Sequence, residues 1–218
     1  VTPSSHPTPT NPNASNPYPW LLSGLSAVAS DYDVILCDIW GVLHNGIIGY
    51  QNAADALIKF RRKGGRVILV SNATRPAHDI VGILDKFSID RAAYDGIVTS
   101  GDVTRTMLFD GQWSSYCWLG PERDAGLFEN LPLPRTDLDH ADILVCTGLN
   151  DDDHETAETY RPYVTKARER NIPMLCANPD IVVERGHRLI DCAGAIAKIY
   201  QDIGGTTLYA GNPHPPIY

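Results

Sequence analysis

The first group in this chain able to do chemistry is a carboxylate delivered by a short apolar run. Val34-Ile35-Leu36-Cys37 leads into Asp38, and three residues later Gly41 allows a sharp turn in Asp38-Ile39-Trp40-Gly41-Val42-Leu43. Open α/β sheets bind ligands beyond the carboxyl ends of their strands, where backbone N–H groups point into the crevice. A carboxylate placed there can attack phosphorus or hold Mg²⁺, and a loop built on Gly41 can donate N–H bonds to phosphate. A second apolar run, Arg66-Val67-Ile68-Leu69-Val70, ends in Ser71-Asn72, whose hydroxyl and amide can bind the same phosphoryl group. Arg75, in the loop that follows, offers a positive charge to an anion.

These residues need a parallel sheet to bring them to one edge. Between the two runs, Ala53, Ala54, Leu57, Ile58 and Phe60 recur at helical spacing, and Gly64-Gly65 stops the pattern. Strand, helix, strand over about 40 residues is a right-handed βαβ unit. The alternation continues with a helix over 78–87, a strand over 96–100 and a helix over 101–109. Apolar runs follow at 115–119, 143–147 and 173–177, then a charged helix over 154–170, a helix over 191–203 and a strand over 206–210. The fold class is α/β, a Rossmann-like parallel-sheet core with a second α/β unit in the middle of the chain. Asp151-Asp152-Asp153 is read as the acidic N-terminus of the charged helix.

Composition narrows the function classes. The chain has 218 residues, 43% of them hydrophobic, enough for an ordinary globular core. With 18 basic and 26 acidic residues and no dense Lys/Arg cluster, neither a nucleic-acid groove nor an anionic membrane surface is expected. Apolar stretches fall short of the roughly 18 residues of a membrane span. Five scattered cysteines, Cys37, Cys117, Cys146, Cys176 and Cys192, read as buried reduced thiols of a cytoplasmic protein. Residues 1–20, rich in Pro, Ser, Thr and Asn, read as a disordered leader. Leu21, Leu22, Leu25 and Val28 predict a short helix after it.

Four landmarks carry a resemblance: Asp38 to Leu43, Val70-Ser71-Asn72, Asn178-Pro179-Asp180, and Tyr209-Ala210-Gly211-Asn212-Pro213. In this order and at these separations they resemble the haloacid dehalogenase superfamily, class IIA, the sugar- and nucleotide-phosphatase-like branch with an inserted α/β cap. The resemblance implies a core over 21–78 and 189–218 and a cap over 79–188. It implies a Mg²⁺-dependent phosphohydrolase of small phosphorylated metabolites, with Asp38 as nucleophile and an aspartyl-phosphate intermediate. Asp38 and the Trp40 carbonyl would be metal ligands. Gly41, Ser71, Asn72 and Asn212 would lie on the phosphate side, and Arg75, Asn178 and Asp180 on the substrate side. Self-association would run through the cap.

Three departures from the family pattern shape the expectation. The acid two residues after the nucleophile is replaced by Trp40, a loss that costs about 10²–10⁴ in rate. The lysine of the fourth landmark is Asn212, and the strand with the last acidic pair does not occur before Tyr218. The chain therefore reads as a fragment, inactive in isolation, with the Asp38 strand left as an apolar edge. His44 is the nearest substitute acid. An alternative reading is a catalytically weakened relative that binds phospho-ligands or a protein partner, and a further one is phosphotransfer to an acceptor other than water.

Overall fold

The computed structural model describes residues 24–218. The expected leader and the start of the short helix after it lie outside the described residues. Leu25–Ala27 and Ala29–Asp31 form two 3-10 turns leading into β1.

The first sheet is parallel, in the order β1 (Val34–Cys37), β2 (Arg66–Ser71), β3 (Gly96–Thr99). Helix α1 (Gln51–Arg62) crosses from β1 to β2, burying Ala54, Leu57 and Phe60 at a spacing of three. It ends where Gly64 takes φ 98° and Gly65 packs so close to the Phe60 ring that a Cβ would collide with it. Helix α2 (Ala77–Lys86) crosses from β2 to β3. In β2, Val67 and Leu69 face the core made with α1 and α2, while Ile68 and Val70 face the opposite core. A strand covered on both faces reads as an unbroken apolar run, which is why the sequence marks it clearly. Helix α3 (Ser100–Asp110) starts on a reciprocal capping box between Thr99 and Asp102. β1 is at the sheet edge, with Val34 and Leu36 50% and 57% exposed.

The second sheet is parallel too, ordered β4 (Tyr116–Leu119), β5 (Ile143–Cys146), β6 (Met174–Cys176), β9 (Thr207–Tyr209). Helices α4 (Arg161–Glu169) and α5 (Ala193–Asp202) cover one face. The other face, with Tyr116, Trp118, Val145 and Leu175, shares a core with Val70 of the first sheet and α3. All five cysteines are buried and free. Among the described residues no helix is long and apolar enough to cross a membrane.

Strand pairing differs from the boundaries expected at 78/79 and 188/189. β3, expected in the cap, pairs with β2, because the crossover through α2 continues the first sheet and Pro76 is simply the N-cap of α2. β9, expected in the core, pairs with β6. The charged helix begins at Arg161 instead of His154, with Pro162 in its first turn. The acidic run before it stays in a turn: Asp151 meets His154, Asp152 meets Arg123 and Arg185, and Asp153 meets Arg188. One element escaped the sequence reading, the antiparallel hairpin β7 (Val182–Arg185) and β8 (Arg188–Asp191). Its two-residue turn is Gly186-His187, with Gly186 at φ 65°.

Candidate active site

A cleft of about 460 Å³ opens between the carboxyl edge of the first sheet and the second unit with its hairpin. Asp38, Trp40, Ser71, Asn72, Arg75, Asn178 and Asp180 all line it; Gly41 and Asn212 do not.

Asp38 leaves β1 one residue past its last pair, Cys37 with Leu69. Its Oδ1 accepts the Ile39 N–H at 2.6 Å, which fixes the carboxylate toward the cleft. Desolvation raises its pKa, the Ile39 N–H opposes that, and the charge of Asp180 adds to it. Gly41 takes φ 79° and gives its N–H to the His44 carbonyl at 2.7 Å. That donor is spent inside the loop, so Gly41 shapes the turn and offers no bond to phosphate.

Ser71 ends β2 opposite Thr99 and is buried. Its Oγ accepts the Ala73 N–H at 3.2 Å, and its own hydrogen has no acceptor among the described residues. The Asn72 backbone N–H is likewise unpartnered among them. The Asn72 side chain is not free: Nδ2 donates to Asp180 Oδ1 and to the Asn212 carbonyl, both at 2.9 Å, and Oδ1 accepts the Asn212 N–H at 2.7 Å. Expected as a phosphate ligand, this amide is a clamp joining three distant segments. Asn212 is the other half of the clamp, its Oδ1 accepting the Tyr218 hydroxyl at 2.6 Å. Gly211 is required beside it, since a Cβ there would lie 2.4 Å from Asn72 Oδ1 and 2.5 Å from Pro179.

Asn178 makes a side-chain turn, accepting the Asp180 N–H at 3.0 Å. Asp180 then points into the cleft, and burial raises its pKa against the Asn72 amide, which lowers it. Arg75 sits 3.6 Å from the buried Asp124, whose carboxyl is raised by burial and countered by the Thr74 hydroxyl, Arg123 and Arg75.

Trp40 donates its indole N–H to the Glu184 carbonyl at 3.0 Å, so the residue in place of an acid ties the Asp38 loop to the hairpin. His44 does not fit the role of substitute acid. It is 3% exposed, its ring stacks 4.3 Å from Phe87, and its Nδ1 accepts the Gly46 N–H. Burial lowers its pKa, which favours the neutral imidazole over the imidazolium a general acid needs.

For Mg²⁺ the donor chemistry fits: the Asp38 carboxylate and the Trp40 carbonyl, which accepts no hydrogen bond among the described residues, are hard oxygens. The set is incomplete, as no group of three acidic, His or Cys side chains comes together among the described residues.

An α/β fold with an aspartate at a strand end over such a cleft defines a class, and comparison bears it out. The family model described as haloacid dehalogenase-like hydrolase matches residues 35–130. A solved hydrolase of the haloacid dehalogenase-like family from Brucella suis 1330 is 45% identical, with a TM-score of 0.87 over 91% of this chain and 76% of that one. The chain belongs to the haloacid dehalogenase-like family. Two further structures share the fold. A 4-nitrophenylphosphatase from Thermotoga maritima has a TM-score of 0.67 at 23% identity, covering 87% of this chain and 72% of its own. A glycerol phosphate phosphatase from Mycobacterium tuberculosis, in complex with calcium, has a TM-score of 0.65 at 20% identity, covering 87% and 56%. No curated protein matches the chain.

Residues that the sequence reading missed are those of the far wall, Arg123, Asp124, Asp152 and Arg185. For Arg185 a signal existed: two strand-like runs flank Gly186-His187.

Proposed function

We propose that this protein is a phosphohydrolase of small phosphorylated metabolites, with Asp38 as the nucleophile. One observation carries the reading: Asp38 opens into the same cleft as the Ser71 hydroxyl and the Asn72 N–H, two donors without partners among the described residues. The Ile39 N–H holds Oδ1, leaving Oδ2 to attack phosphorus while the ester P–O bond breaks. Ser71 and the Asn72 N–H take the phosphoryl oxygens, and water then releases phosphate from the aspartyl phosphate. Asp38 and the Trp40 carbonyl would hold Mg²⁺, which supplies charge neutralisation when bound.

Trp40 brings no proton to the leaving oxygen, which matches esters whose leaving group needs none, such as aryl or acyl phosphates. The nitrophenylphosphatase relative supports that direction. The second sheet with the hairpin would act as the cap, over roughly residues 113–210, the first sheet remaining the core. The buried free thiols support a reducing compartment, the cytoplasm. A second reading, a phospho-ligand binder without turnover, is favoured by the indole of Trp40 being committed to Glu184. A panel of phosphate esters with Mg²⁺ decides between them. Turnover that vanishes in Asp38→Asn supports hydrolysis, whereas ligand-dependent melting shifts without turnover support the binder.

A further inference from the structure

The far wall of the cleft carries a feature that attack by Asp38 does not use. Asp152, its side chain 7% exposed, accepts on one oxygen, Oδ2, both Arg123 Nη2 at 2.8 Å and Arg185 Nη2 at 2.7 Å. The three residues come from separate segments: the 3-10 stretch after β4, the turn after β5, and the end of β7. All three line the cleft that holds Asp38. One arginine would satisfy Asp152, yet two guanidinium groups converge on it despite their repulsion. Each is more than 40% exposed on its side chain, 44% and 41%, and its Nε and Nη1 donors meet no acceptor among the described residues. A guanidinium has five N–H donors in a rigid fork, so most of this donor set faces the cleft unspent.

Elsewhere the lining is acidic. Asp38, Asp124, Asp180, Glu184 and Asp191 join Asp152 there, and the remaining guanidinium, Arg75, is engaged by Asp124. Asp191, on the same wall, has its Oδ2 on the Ala157 N–H at 2.8 Å. Glu184 falls on the opposite face of β7 from Arg185. An entering anion is therefore repelled along most of the cleft and met by donors at two places, the phosphoryl site and the arginine pair. The two line one cleft, with Asp180 and Cys192 also on its lining.

We propose that Arg123 and Arg185, held by Asp152, form a second anion subsite for the carboxylate of a phosphorylated acid whose phosphoryl group lies at Asp38. The inference rests on the phosphate-ester reading and names the class of substrate. Two planar forks against one buried carboxylate leave a single positive charge, which matches a carboxylate in bidentate contact better than a doubly charged phosphate.

The test is calorimetric binding to the full-length Asp38→Asn protein with Mg²⁺, using two matched pairs: 3-phosphoglycerate with glycerol 3-phosphate, and 4-phosphoerythronate with erythritol 4-phosphate. In at least one pair the acid should bind about tenfold or more tighter than the alcohol, the range of a charge-assisted bond. Arg123→Gln and Arg185→Gln should each remove most of that preference while the alcohol's Kd moves less than twofold. Each variant leaves Asp152 one partner, and a melting curve confirms folding. Equal binding of acid and alcohol in both pairs, no binding of either, or a parallel loss for both in the variants overturns the subsite. Separately, acid preference without turnover in the unmutated protein counts against hydrolysis alone, and turnover of both esters at equal KM counts against the subsite alone.

Discussion

Asn72→Ala should destabilise the protein without acting through phosphate. The side-chain amide makes three bonds, to Asp180, to the Asn212 carbonyl and from the Asn212 N–H. Each is worth about 1 kcal/mol net, and its loss strands two backbone groups of Asn212 and the donorless Asp180 carboxylate in a half-buried place; the sum is about 2–4 kcal/mol. For a chain of this size that lowers Tm by about 5–15 °C. The pH dependence adds a second signature. Asp180 has a pKa above its ordinary 3.8, so in the window above that value the folded state binds more protons than the unfolded, and stability falls as pH rises. Removing Asn72, which lowers that pKa, widens the window, so the variant's deficit is largest at neutral pH and narrows toward pH 4. Asn72→Asp sets a carboxylate against Asp180 and should be worse than alanine at pH 7, converging with it on acidification. Calorimetric melting at pH 7 and pH 4.5 checks this. A Tm change below 2 °C, or deficits unaltered by pH in both variants, would refute the clamp.

Other substitutions probe the neighbouring contacts. Trp40→Phe loses the bond to the Glu184 carbonyl and the far indole-ring atoms beside Gly46; steady-state kinetics should show KM rising about fivefold or more, for a bond of about 1 kcal/mol, with kcat changed less. His44→Ala empties a buried site beside Phe87 and should cost about 2–3 kcal/mol in denaturant unfolding, while the pH–rate profile keeps its shape. A profile that loses a limb would restore His44 as an acid. Gly211→Ala forces a Cβ onto Asn72 Oδ1 and Pro179, and melting should fall by an amount similar to Asn72→Ala, since both break one junction.

The parts of this molecule written in local patterns were legible in the sequence, and the parts made by distant pairings were not. β2 and β5 are buried on both faces and stand out as continuous apolar runs between turn residues. The place of Asp38 at a strand end follows from the same logic. The roles of Asn72 and Gly41 could not be read, because Asn72 finds its partners 108 and 140 residues away and the Gly41 N–H is claimed by a loop closure. The pairing of β3 with β2 and of β9 with β6 was hidden for a related reason: both are ordinary strands whose sheet membership is decided by pairing, not composition. The hairpin was overlooked because its outer positions, such as Leu189 at 74% exposure, break the polar-out alternation that marks a surface strand. Asp152 was assigned to a helix start by its neighbours in sequence, when its partners in space are Arg123 and Arg185.

The central claim is that Asp38 is a nucleophile toward phosphorus. Phosphate release from 4-nitrophenyl phosphate by the full-length protein with Mg²⁺, compared with its Asp38→Asn variant, tests it most directly. The account predicts turnover in the first and none above background in the second, with the melting temperature of the variant at pH 7 equal or higher, since a charge facing Asp180 is removed. Equal turnover in the two proteins would contradict it.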